Sequence, residues 1–452
     1  MSLEMTENEL TLAIIQAIKD RKKLQFQAII DELQPYDVAQ QYLNLPNRHK
    51  NKFIINLSME QLTDMIQELD KEEQLHVLEK LGIEKSSKVI DLMDNDDLVS
   101  LLTDLDPEKI EELISEMEEE DSHIVQNMMK YAPETAGRIM NNQMVWIPQT
   151  YTVREAVDKL KHFAEIAEYL NYLYVIDEEK KLVGVVSYKD LLLADMHEKI
   201  EDIMYSRVVK VDVHTDQEEV AKLINRYDFI AMPVIEEDNK LVGIVTVDDV
   251  VDIIYQEANE DIEKLSASGK AIDFNTRPMV AAYRRLPWLV LLLFIGIVSG
   301  SIIAGFEKTL DQVVALAFFM PMIAGMTGNT GTQSLAVVVR GLTTNDLNFK
   351  QVVKLVLREL WVGIFIGITC GILIAIIALF WQGSATLGFV VGVSLLLTLI
   401  IGTLAGTIIP LVLYKFNVDP AVASGPLITT INDIISLFIY FGIATMFLVR
   451  LT

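Results

Sequence analysis

The chain has 452 residues, 51% of them hydrophobic, with 64 acidic and 38 basic side chains and a net charge of −26. That charge is unevenly divided: residues 1–280 carry 58 of the acids and 29 of the bases, a net of −29, whereas residues 281–452 carry 6 and 9, a net of +3. A field of that sign repels nucleic acid and attracts cations over the ~10 Å that salt allows, which excludes nucleic acid as a partner. The single cysteine, Cys370, excludes an intrachain disulfide and a Cys-rich metal site.

Residues 5–132 read as short amphipathic helices without strands, and their acidic start lacks the basic-then-apolar order of a signal peptide. LTDMIQELD at 62–70 recurs as LVSLLTDLD at 98–106, an offset of about 36 that predicts stacked helical hairpins in an all-α superhelix. YAPETAGRIM at 131–140 leads out of it. A second repeat follows: VIDEEKKLVGVVSYKD at 175–190 and VIEEDNKLVGIVTVDD at 234–249. Each copy predicts a β-hairpin followed by a helix, and amphipathic helices begin upstream near Val153 and Gln217.

The two copies resemble a tandem of α/β CBS domains, here 133–200 and 201–260, whose repeats end in Gly-x-(Val/Ile)-(Ser/Thr)-x-x-Asp. The resemblance makes Ser187, Asp190, Thr246 and Asp249 the candidates for holding the ribose of ATP or another adenine nucleotide. A purely scaffolding pair is the other reading.

VDDVVDIIYQEANEDIEKL at 247–265 has helical periodicity and is crowded by Asp248, Asp249, Asp252, Glu257, Glu260 and Asp261. Like charges one turn apart oppose each other in water. A solvated face is one account, but a strip so close to the membrane half is also one that divalent cations neutralise. Residues 261–284 are expected to form a connecting, or plug, helix.

Beyond Leu286, five apolar stretches reach the ~20 residues that cross a bilayer: 287–306, 313–339, 352–380, 387–414 and 422–449. Arg284, Arg285, Arg340, Lys350, Lys354, Arg358 and Lys415 flank one side of this five-helix transmembrane domain, 285–452, which puts the N-terminus in the cytoplasm and the C-terminus outside. Gly363, Gly367 and Gly371, and Gly388 with Gly392 and Gly402 with Gly406, let helices approach closely, within one subunit or between two.

Two spans are chemically odd. PMIAGMTGNTGTQS at 321–334 puts helix-weakening and polar residues at membrane depth, and Asp433, beside Asn432, lies within the fifth apolar run. A charge there costs at least ~2.5–3.5 kcal/mol, so it normally faces a pathway or a partner. A two-fold axis would bring two such carboxylates together. That suits magnesium, which sheds its waters reluctantly; Met320, Met322 and Met326 keep a softer metal open. No nucleophile with a base and no GxxxxGK[ST] motif is found, so the chain is not expected to be an enzyme.

YAPETAGRIM, the paired CBS endings, PMIAGMTGNTGTQS and DPAVASGPLITTINDIISL at 419–437 together resemble the MgtE family of bacterial magnesium transporters. The resemblance covers nearly the whole chain. It implies a homodimer in the bacterial inner membrane that takes up Mg2+ down its electrochemical gradient, with proton-coupled transport or broader Mg/Mn/Co conduction as the alternatives. Asp433, Asn432 and Asn329 become the pore's ion ligands. Asp216, Glu218, Asp228, Asp249, Asp252, Glu257, Glu260 and Asp261 become regulatory ligands through which cytoplasmic Mg2+ closes the pore, and Asp419 becomes a metal ligand that ties the connecting helix to the spans. The family's Asp-Asp-x-x-Asp in the helical domain is represented by Asp96 and Asp97, with Ser100 in the third place.

Overall fold

The computed structural model describes residues 6–451 other than 104, 106, 116, 118, 164–171, 268–271, 273–275, 345–347 and 417. It divides into two compact units, Met1–Ile254 and Tyr255–Thr452.

Short helices fill the first part of the first unit, from Glu7–Lys19 to Glu119–Met128, and no strand interrupts them among the described residues. Local signals set their ends. Thr6 with Glu9 and Ser58 with Gln61 form reciprocal capping boxes, and Asp70 caps the helix Lys71–Leu81. Each copy of the predicted repeat begins on a helix, Met59–Gln67 and Asn95–Leu102, and residues 104 and 106 of the second copy lie outside the described residues. Earlier in the chain Phe26, Tyr42 and Phe53 are fully buried, Phe26 and Phe53 edge to face at 5.4 Å.

Two three-stranded sheets follow. In the first, β1 (Trp146–Pro148) runs parallel to β2 (Tyr172–Ile176), which pairs antiparallel with β3 (Leu182–Ser187). In the second, β4 (Val211–Asp212), β5 (Ala231–Glu236) and β6 (Lys240–Thr246) repeat that order and sense. The glycine common to both repeats is explained by close approach. A Cβ on Gly184 would lie 2.5 Å from Met204 Sδ, and one on Gly243 would lie 2.9 Å from the Asn141 carbonyl. One continuous core joins the helical part to the second sheet, from Leu10 through Leu98 and Val99 to Met232, Val234 and Val245.

The acidic helix spans Val247–Leu265, as its periodicity predicts. It crosses the boundary drawn at 261 for a separate connecting helix; the next described helix begins at Pro278. Among the described residues the second unit has five long helices after the acidic one: Pro278–Gly305, Leu316–Thr344, Phe349–Gln382, Ala385–Lys415 and Gly425–Met446. Four of them are long and apolar enough to cross a membrane. The second, Leu316–Thr344, has the length but not the apolarity, because its polar run dilutes the Phe- and Val-rich ends.

The fourth long helix is central and the first peripheral: within the chain the first buries none of its residues. The glycine pairs serve packing inside one chain. Gly371 and Gly392 face each other across the third and fourth helices, where a Cβ on either would lie 2.8 or 2.7 Å from the other's carbonyl oxygen. Gly406 approaches Gly331 of the second helix still more closely.

Candidate functional site

In the first unit, Asn95–Leu102 opens with Asp96 and Asp97 in its first turn, and β6 delivers Asp248 and Asp249 to the first turn of the acidic helix. Thr246 binds the Asp249 carboxylate directly, and Ser187 does the same for Asp190 at 2.5 Å in a full capping box. The four residues expected at a nucleotide are therefore also those that start two helices.

The carboxylates of the two elements repel one another. Burial above all, then Asp249, Asp97 and Asp94, push Asp96 well above the usual carboxylate range. Burial pushes Asp97 up to about 6, against the pull of its Gln67 bond and with help from Asp94, Asp248 and Asp252. Burial likewise pushes Asp249 up to about 7, against the pull of its Thr246 bonds and with help from Asp248 and Asp97. Asp64 and Glu68 are raised too, first by burial and then by neighbouring acids, Asp94 for the one and Asp252 for the other.

Besides the Thr246 bond to Asp249, one side-chain amide supports the cluster: Gln67 Nε2 donates to Asp94 at 2.9 Å and to Asp97 at 2.8 Å. Asp96 Oδ1 is buried with no hydrogen-bond partner among the described residues, a cost of about 1–3 kcal/mol or more for a charged group. Such a set fits a divalent cation. Among the described residues, however, no three His, Cys, Asp or Glu side chains sit close enough to hold one ion together without moving.

Sequence reasoning found Asp96, Asp249 and Asp252 but missed Asp64, Glu68, Asp94 and Gln67 as members of this group. The signal for some of them lay in the repeat, which sets Asp64 and Glu68 on the helix preceding Asp96 by one hairpin. Asp216, Glu218 and Asp228 stand elsewhere. Asp216 caps the helix Gln217–Tyr227, Glu218 pairs with Lys222 at 2.9 Å, and Asp228 ends that helix in a left-handed conformation at φ 53°.

In the second unit the polar run of the second long helix is divided by face. Thr327, Thr330 and Ser334 are buried, whereas Gly325, Asn329 and Gln333, four residues apart, form an exposed stripe. Thr327 and Thr330 satisfy their hydroxyls on the carbonyls of Ile323 and Met326. From the fifth helix, Asn432 is fully buried in the seam and its amide donates to the Thr327 carbonyl at 3.4 Å. Asp433, the next residue, is partly exposed. Asn432 thus anchors the two helices, Asp433 keeps partial exposure, and Asn329 lies on the exposed stripe.

Glu359 was not foreseen. It lies in the third long helix, is 5% exposed, and accepts from Ser334 at 3.1 Å and from Arg358 at 2.8 Å. It lies only seven residues into the apolar run at 352–380, beside Arg358 at the basic end of that run, where an acid reads as flanking charge.

Family models match the chain in order along its length. The MgtE intracellular N domain matches residues 33–134, the CBS domain matches 136–197 and 200–256, and the MgtE model described as a divalent cation transporter matches 320–443. Magnesium transporter MgtE of Bacillus subtilis (strain 168) is 59% identical over 448 residues, 99% of each chain. Magnesium transporter MgtE of Thermus thermophilus is 34% identical over 447 residues, 98% of this chain and 99% of that one. Among solved structures, the soluble part of a magnesium transporter matches with a TM-score of 0.54 and 34% identity, over 56% of this chain and 100% of its own. The cytosolic domain of the Mg2+ channel MgtE in complex with ATP matches with a TM-score of 0.51 and 30% identity, over 54% and 99%. Identity of this order from end to end, with the same modules in the same succession, makes the chain a member of the MgtE family.

Proposed function

We propose that the protein is a homodimeric magnesium channel with five spans, its N-terminus in the cytoplasm and its C-terminus outside, closed by the magnesium it admits. The observation that supports the reading is the contrast between neighbours on the fifth long helix: Asn432 is buried and bonded to the second helix, while Asp433, the carboxylate next to it, is partly exposed. Two copies of that carboxylate about a two-fold axis would hold a hydrated Mg2+ through its waters. Entry would follow the potential, worth ~2.3 kcal/mol per charge per 100 mV.

Regulation is assigned to the buried acids of the first unit. Without a cation, Asp96, Asp97 and Asp249 oppose one another and favour an open arrangement; with magnesium, the bridged arrangement gains and the pore closes. A ligand shifts such an equilibrium only by its differential affinity for the two states. Several weak sites acting together would give a steep response near millimolar concentrations. A CBS-bound adenine nucleotide is supported by the ATP complex of the related cytosolic domain; Ser187, Asp190, Thr246 and Asp249 are its candidate contacts.

The test is magnesium influx into proteoliposomes under an imposed potential, with the magnesium and pH of the inner face buffered separately. The reading expects potential-driven influx at low inner magnesium, near-complete closure at several millimolar, and no requirement for a proton gradient. Flux that follows the proton gradient alone would favour the exchange mechanism. Equal manganese and cobalt currents would favour the broader selectivity that the exposed Met322 suggests.

A further inference from the structure

The family resemblance makes Glu260 and Asp419 metal ligands, but this chain gives both carboxylates to one of its own ammonium groups. Lys264 Nζ stands 2.5 Å from Glu260 Oε1 and 2.5 Å from Asp419 Oδ2. The other oxygen of Asp419 accepts from the Ala421 amide at 2.8 Å, which fixes the turn leading into the fifth long helix. The next residue, Leu265, packs against the buried group of Leu335, Val339, Ala421 and Ile428, at one end of the second and fifth long helices.

We propose that Lys264 is a resident cation, a positioning residue that seats the end of the acidic helix on the spans without a metal ion, so that Glu260 and Asp419 are not a magnesium site in the seated state. The inference rests on the gating reading above. One ammonium between two carboxylates leaves a net single negative charge, and a Mg2+ could join both only if Lys264 left. The latch therefore contributes to closure at every magnesium concentration, and the regulatory ions act on other carboxylates.

The sign of one shift separates this from simple competition. Were Lys264 only a rival for the two carboxylates, removing it would free them and the pore would close at lower inner magnesium. If Lys264 is the latch, removing it loosens the seated helix and more magnesium is needed. In the full chain in proteoliposomes, K264Q is expected to raise the half-closing inner magnesium about threefold to tenfold, with K264R close to wild type and flux at zero inner magnesium retained in both.

A second readout does not depend on flux. A Cβ on Gly425 would lie 3.5 Å from the Leu265 carbonyl, so cysteines at Leu265 and Gly425, with Cys370→Ala, should cross-link in chelator when Lys264 is present and poorly in K264Q. Cross-linking that requires magnesium, or a half-closing concentration unchanged or lowered by K264Q, overturns the latch alone. Wild-type flux indifferent to inner magnesium overturns the gating reading, and the latch's part in closure with it.

Discussion

The hydroxyl of Ser334 donates to the carboxylate of Glu359 at 3.1 Å, both side chains being at most 5% exposed. It is the point at which the polar run of the second long helix reaches across to the third, roughly 15 Å along from that helix's start. Arg358 holds the other carboxylate oxygen at 2.8 and 3.1 Å. Ser334→Ala removes a hydrogen bond to a charged group and should cost about 1.5–3 kcal/mol. Glu359→Gln, whose amide oxygen still accepts, should cost less. Thermal unfolding in detergent checks both.

Glycine substitutions should divide by face. A Cβ on Gly406 would clash with the Gly331 carbonyl, whereas one on Gly325 meets nothing within 4 Å in the chain. Gly406→Ala is expected to destabilise by about 1–3 kcal/mol, the usual cost of overpacking, and to lose transport with it. Gly325→Leu is expected to leave the thermal midpoint unchanged and still reduce magnesium flux severalfold, because its bulk enters the exposed stripe beside Asn329. Unfolding and flux measured on the same preparations check the split.

Proton competition follows from the raised carboxylates. Burial and like charge push Asp97 up to about 6 and Asp249 up to about 7 in the folded chain, against about 3.9 for a free Asp. Folded protein therefore binds more protons than unfolded between those values, and the metal-free fold loses stability as pH rises through the folded pKa. A cation must displace those protons. Magnesium affinity of the cytoplasmic cluster is thus expected to weaken between pH 8 and 6, by up to about tenfold for each proton displaced per unit below the pKa. Calorimetric titrations in buffers of different ionisation heat would also reveal the released protons. Asp96→Asn should flatten the dependence.

The helical repeat, the two hairpins and the odd second and fifth spans were legible because each is carried by a short-range pattern: period, turn residues, or a polar group in an apolar run. The packing of Gly371 on Gly392, which resolved intrachain against interchain contact, needed the helices' pairing and could not be read from spacing. Asp94 and Gln67 were missed for a related reason. They stand on different helical hairpins and meet only when the helical domain packs together. Lys264 was overlooked because acids outnumber it along the strip, and charge counting does not show which carboxylates one ammonium reaches.

Magnesium influx through Asp433→Asn in proteoliposomes, beside wild type at the same inner magnesium, bears most directly on the account. The amide keeps the shape and removes the charge, so influx should fall about tenfold or more while the thermal midpoint stays within a degree or two. Wild-type influx in that variant, with its fold intact, would contradict the assignment of Asp433 to the ion path.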